Sequence, residues 1–130
     1  MLDHISLTAA DWVAAERFYD AVMDALGVPK VGRDAEEGWL GYGERCDAGH
    51  PERSYFSVRR GSAPEEASGR HLCFKAQSRA AVDAFWQAGL AFGGRNLGAP
   101  GLRPHYHPTY YAAFLADPSG NRIEAVCHSP

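Results

Sequence analysis

The chain has 130 residues, enough for one compact domain or two small modules sharing a core. Its hydrophobic content of 45% and aromatic content of 12% exclude a disordered chain, and a net charge of −3 without any basic run argues against a nucleic-acid partner. Met1-Leu2-Asp3-His4 leads straight into structure and no apolar stretch approaches ~18 residues, so we expect no secretory leader and no membrane span. Three widely spaced cysteines (Cys46, Cys73 and Cys127) form no CxxC and read as reduced thiols of a cytoplasmic protein.

In chain order, Asp3 to Thr8 is the first strand. Asp11 is the predicted N-cap of a helix from Trp12 to Leu26, with Val13, Phe18, Val22 and Leu26 on its apolar face and Gly27 as its stop. Val28-Pro29 begins extended chain. Trp39 to Gly43 and Ser54 to Arg59 are short strands separated by a polar loop that contains His50-Pro51. Gly61 to Gly69 is a linker by composition. The second half restarts with a strand from His71 to Ala76. Ser78 then caps a helix from Arg79 to Ala88, buried through Val82, Phe85 and Trp86. Gly93 to Gly101 reads as a loop.

The segment from His105 to His128 reads as a β-hairpin. Tyr110 to Leu115 and Ile123 to Cys127 are its strands, and Asp117-Pro118-Ser119-Gly120-Asn121 is the turn, with Pro fixing φ and Gly supplying φ > 0. Alternation sends Ile123, Ala125 and Cys127 one way and Glu124 the other, in mid-strand. A solvated charge is the ordinary reading of such a carboxylate. An internal repeat argues for more.

Sliding the chain so that His4 falls on His71 also puts Glu16 on Asp83, Phe18 on Phe85, Tyr19 on Trp86 and Ala21 on Ala88. The same shift puts Ser57 on Glu124. Each half then reads β-α-β-β-β, with the second strand of each half carrying the weakest signal. A histidine opening each half and a carboxylate closing the second suggest one shared site.

With these residues in view, the chain resembles the vicinal-oxygen-chelate superfamily of glyoxalase, bleomycin-resistance and extradiol-dioxygenase proteins. The resemblance spans nearly the whole chain. It is carried by Asp3-His4-Ile5-Ser6-Leu7, by Arg17-Phe18-Tyr19, and by Asp117-Pro118-Ser119-Gly120-Asn121-Arg122-Ile123-Glu124. The stretch from Gly98 to Pro108 is similar to an uncharacterised glyoxalase-like subgroup. The resemblance implies an α+β fold of two pseudo-symmetric βαβββ modules, forming a curved mixed sheet with helices on the outside. Module 1 would span 1–60, the linker 61–69 and module 2 70–130, within a single domain.

In metal-dependent members the ligands come from the first and last strands of each module. Carried over, these positions are His4, Ser57, His71 and Glu124, and the chain departs from the glyoxalase pattern at Ser57. Two imidazoles and a carboxylate remain, a set that holds one divalent metal such as Zn, Fe, Ni or Mn and leaves positions open for a chelating substrate. The resemblance thus implies a metal-dependent lyase, isomerase, dioxygenase or thiol transferase acting on a small oxygen-chelating molecule. A metal-free sequestration protein of the bleomycin-resistance type is the alternative. It also implies a homodimer, whose sites form within one chain or across two.

Other residues have two readings each. His105 and His107, held between Pro104 and Pro108, either line the pocket (with His107 moving a proton beside Glu124) or bond the backbone of a structured loop. Arg103 either grips an anionic substrate or stands on the surface. Tyr42, Tyr110 and Tyr111 either wall the pocket or fill the sheet core, and Tyr42 and Tyr111 are taken with Arg103, His105 and His107 as the substrate-binding set.

Overall fold

The computed structural model describes residues 1–65 and 69–130, so the linker expected over 61–69 lies partly outside the described residues. The first half contains β1 (His4–Ala9), α1 (Trp12–Ala25), β2 (Lys30–Asp34), β3 (Trp39–Gly43) and β4 (Tyr55–Arg60). The second contains β5 (Leu72–Lys75), α2 (Arg79–Ala91), β6 (Arg95–Leu102), β7 (Tyr111–Ala116) and β8 (Arg122–Cys127). Each half is a βαβββ module with its own four-stranded sheet, ordered β1-β4-β3-β2 and β5-β8-β7-β6. In both, the first strand runs parallel to the last and the other pairs are antiparallel. The mixed sheet is thus divided in two, one sheet per module.

Both helices begin where the sequence places them. Asp11 accepts a bond from the Ala14 N–H at 3.0 Å, and Ser78 accepts one from the Ala81 N–H at 3.1 Å. Gly27, at φ 71°, ends α1 in the left-handed region. The buried stripe of α1 is Ala15, Phe18, Tyr19, Val22 and Met23, a set spaced by three and four. Val13 falls off that stripe and is 58% exposed, contrary to its expected place on the apolar face.

Two stretches differ from expectation for identifiable reasons. Helix α2 runs through Gly89 to Ala91 instead of stopping at Ala88. Gly89 is not a stop signal here: it faces α1, and a Cβ at that position would run into Leu115, Phe18 and Val22. The presumed loop from Gly93 to Gly101 contains most of strand β6. Its glycines and Pro100 disguise it, but it is an edge strand with register shifts around Gly98, where such residues are tolerated.

One hydrophobic cluster serves both modules, drawing Phe18, Tyr19, Leu40, Phe56 and Val58 from the first and Val82, Phe85, Leu115 and Ile123 from the second. The β7–β8 turn fastens the halves together. The Tyr19 hydroxyl donates to Asp117 Oδ2 at 2.7 Å, and the Asn121 amide donates both to Asp117 Oδ2 and to the Thr8 carbonyl. Ser119 Oγ accepts from the Ala10 N–H at 3.0 Å. Asp117 is 4% exposed, so removing its carboxylate leaves buried donors without an acceptor. We expect Asp117→Ala to cost about 2–4 kcal/mol in denaturant unfolding, whereas a loss below about 0.5 kcal/mol would mean the turn does not join the modules.

Candidate functional site

Because one face of each sheet lies in the shared core, the other face is left for chemistry. On β8, Ile123, Ala125 and Cys127 enter the core, and Glu124 faces the opposite way. Glu124 is nevertheless only 2% exposed. His71 Nε2 stands 2.9 Å from its Oε2, and the Tyr110 hydroxyl donates to its Oε1 at 2.7 Å. No Lys or Arg neutralises this carboxylate among the described residues. Phe114, directly opposite Glu124 on β7, sets its ring edge-on to His71 at 6.2 Å.

The parallel register places Cys73 beside Glu124. Burial and the adjacent carboxylate push the Cys73 thiol up to about 12. Burial and the bond to Glu124 also raise Tyr110, which therefore stays a protonated donor. Arg103 belongs to the same face: its guanidinium lies over the Phe114 ring at 5.7 Å and donates to the Ala99 carbonyl at 2.8 Å. A side chain at Gly101 would press on that guanidinium, so the glycine gives it room.

The segment between Arg103 and Tyr110 is a pinched turn, closed by bonds from Arg103 N–H to the Tyr110 carbonyl and from Tyr110 N–H to the His107 carbonyl. It meets Glu124 through Tyr110 alone. His107 accepts at Nδ1 from the Thr109 N–H and sits 6.1 Å from the His128 ring, which in turn lies 5.2 Å from Tyr110. His105 stacks on Tyr106 at 4.2 Å. Neither histidine is hydrogen-bonded to Glu124, whose side-chain partners among the described residues are His71 and Tyr110. Tyr42 and Tyr111 face the helices instead. The Tyr42 hydroxyl donates to Asp20 on α1 and the Tyr111 hydroxyl to Asp83 on α2, each at 2.8 Å. Tyr42 lines a groove of about 550 Å³ whose walls are largely apolar, Met23, Val28, Phe56 and Phe74 among them, with His4, Cys73 and Lys75 among its polar positions.

Module 1 presents the equivalent face. Ser6 pairs with Ser57 in register and their hydroxyl oxygens lie 2.6 Å apart. His4 is exposed, with Nδ1 2.7 Å from Asp3 Oδ1. Among the described residues no group of three or more His, Cys, Asp and Glu side chains is close enough to hold a metal ion. Within one chain, then, His4 does not join His71 and Glu124. The latter pair, 2.9 Å apart, has the separation of neighbouring donors on a metal with bonds of roughly 2.0–2.2 Å, which makes it two members of the expected three.

The coupling of Cys73 to Glu124 is directly measurable. In a Cys46→Ser background, with Cys127 buried, alkylation by iodoacetamide reports on Cys73. Glu124→Gln removes a negative charge from beside the thiol, so its pKa should fall and alkylation near pH 8 should quicken. An unchanged pH profile would show that the two groups do not interact.

The profile of the Glyoxalase/Bleomycin resistance protein/Dioxygenase superfamily matches residues 1–125. No curated protein matches the sequence. Among solved structures, a glyoxalase/bleomycin resistance protein from Albidiferax ferrireducens is 28% identical, with a TM-score of 0.79 and coverage of 99% of this chain and 98% of that one. A glyoxalase/bleomycin resistance protein/dioxygenase family enzyme from Burkholderia phytofirmans is 22% identical, with a TM-score of 0.67 and 98% of both chains covered. A lactoylglutathione lyase from Agrobacterium tumefaciens is 22% identical, with a TM-score of 0.60 and coverage of 98% and 92%. The last two show the shared fold alone. By the span of the profile match, the chain belongs to the glyoxalase/bleomycin resistance protein/dioxygenase superfamily.

Proposed function

We propose that this protein is a metal-dependent enzyme acting on a small molecule that chelates through adjacent oxygens, as a lyase, isomerase or dioxygenase. In this reading His71 and Glu124 of one protomer and His4 of a second copy hold one divalent metal. The observation that carries it is Glu124, a buried carboxylate with no Lys or Arg partner among the described residues and an imidazole nitrogen at ligand spacing. His71 remains 43% exposed, so its donor edge is accessible to an incoming ion. Zn, Fe, Ni and Mn all accept imidazole and carboxylate donors, so the donor set does not choose between them.

When bound, the metal supplies Lewis acidity toward the substrate oxygens. The chain's own residues do the rest. Tyr110 holds Glu124 Oε1 and so orients Oε2 toward His71. Phe114 walls the site with a dry ring, and Arg103 brings a positive charge over that ring. His107 keeps its Nε2 clear of the Thr109 contact, available for proton transfer at the rim. One ligand on module 1 and two on module 2, not gathered within a single chain among the described residues, support a homodimer in which the two faces meet. Cys46, Cys73 and Cys127 are all free, which supports a reducing compartment such as the cytoplasm. No helix is long and apolar enough to cross a membrane among the described residues.

A second reading has its own observation. Ser57 occupies the strand position opposite Ser6 that matches Glu124 in the other module, and its hydroxyl is already bonded there. A protein lacking that carboxylate suits metal-free sequestration of a small molecule. Elemental analysis of protein purified without chelators separates the two readings. We expect one divalent metal per chain in a dimeric species, lost in His4→Asn, His71→Asn and Glu124→Gln while circular dichroism stays unchanged. Metal-free native protein would favour sequestration.

A further inference from the structure

The polar face of module 1 carries chemistry that metal ligation does not use. A depression of about 180 Å³ lies there, lined by Asp3, His4, Ser6, Arg45, Ser57 and Arg59 among others. Arg59 and Ser57 alternate along β4 and so project to the same side. Arg45 reaches the same place from the loop after β3, with its guanidinium 4.7 Å over the Tyr55 ring and 5.5 Å over Trp39. Stacking of this kind holds an arginine in place while leaving its N–H edges free to donate. Among the described residues neither Arg45 nor Arg59 pairs with a carboxylate.

Three further features fit a bound anion. Ser57 is 1% exposed and shares one bond with Ser6, and two hydroxyls joined by a single bond leave one O–H proton to donate outward. The Tyr55 hydroxyl, on a residue that also lines the depression, is buried with no hydrogen-bond partner. The one carboxylate at the rim among the described residues, Asp3, is engaged by the His4 imidazole at 2.7 Å. Glu44 and Asp47, further out on the same loop, face Arg53 and His50 rather than Arg45. Among the described residues, two guanidinium groups without a carboxylate partner line the depression together with buried hydroxyls, against one carboxylate.

We propose that this depression is an oxyanion subsite, in which Arg45, Arg59 and the Ser6–Ser57 hydroxyl pair bind the carboxylate or phosphate group of the substrate. It rests on the reading of the two polar faces as a small-molecule site and adds to it a substrate class: an anionic molecule rather than a neutral one. Ser57 is then a binding residue in its own right, where a carboxylate would repel the same ligand. A volume of about 180 Å³ accommodates such a group with a few attached atoms.

Inorganic phosphate and acetate are the probes, titrated separately into the native protein at constant ionic strength and followed by amide chemical shifts. We expect saturable shifts at Ser6, Ser57 and Arg59, with affinity falling at least about tenfold in Arg45→Gln and in Arg59→Gln. Binding should persist in Glu124→Gln. Acetate bound more tightly than phosphate identifies a carboxylate substrate, and the reverse order a phosphate ester. Native affinity in both arginine variants, or no saturable binding of either probe, overturns the proposal. Metal content measured on the same samples reports separately on the metal reading, because neither arginine is a ligand in it.

Discussion

In each module the first strand pairs in parallel with the last, and this constraint places the central residues of both outer faces. It sets Ser6 against Ser57 and Cys73 against Glu124. Strand periodicity then gives the flanking residues to a shared core and these four to the outer face. A one-residue slip would turn Glu124 into the core and Ile123 or Ala125 outward. The apolar cluster that spans both modules opposes such a slip, and so the packing of the core and the aim of the functional side chains are one decision. The Asp117 turn, bonded to Tyr19 and through Asn121 to the Thr8 carbonyl, carries that decision from one module to the other.

The two outer faces share a backbone and differ in charge. Module 2 centres on a buried carboxylate held by an imidazole and a phenol, and module 1 on a hydroxyl pair that shares its depression with two arginines. A repeat that kept both halves chemically identical would offer either a ring of ligands or none. In the proposed reading, the divergence at Ser57 and Glu124 instead gives one half to a cation and the other to an anion. Facing each other, they would hold a metal and the charged end of its substrate at once. Each face alone lacks part of what that chemistry needs.

The architecture was readable because the repeat keeps its spacing where it matters. Asp11 and Ser78 both cap helices, and Ser57 and Glu124 both fall at the third residue of the last strand. Strand β6 was hidden because Gly98, Pro100 and Gly101 obey edge-strand rules rather than strand propensity. The residue that touches Glu124 was harder to pick from the sequence. Tyr110 and Tyr111 are adjacent, identical in chemistry and opposite in direction, so the parity of the strand decides which meets the carboxylate and which meets Asp83. A free alternation of His105 and His107 does not occur, because Arg103 and Tyr110 close that segment into a turn. Arg45 carried no signal at all: its place beside Ser57 depends on stacking over Tyr55, a contact made across the loop between β3 and β4.

The central claim is that the face of module 1 in one protomer completes the face of module 2 in another, and subunit mixing tests it most directly. His4→Asn and Glu124→Gln chains carrying different affinity tags are unfolded together, refolded, and the heterodimer isolated by both tags. Each parent variant lacks the metal centre. In the heterodimer one pair of faces regains an intact His4, His71 and Glu124, so the account predicts one metal ion per heterodimer. A heterodimer as empty as its two parents would contradict it.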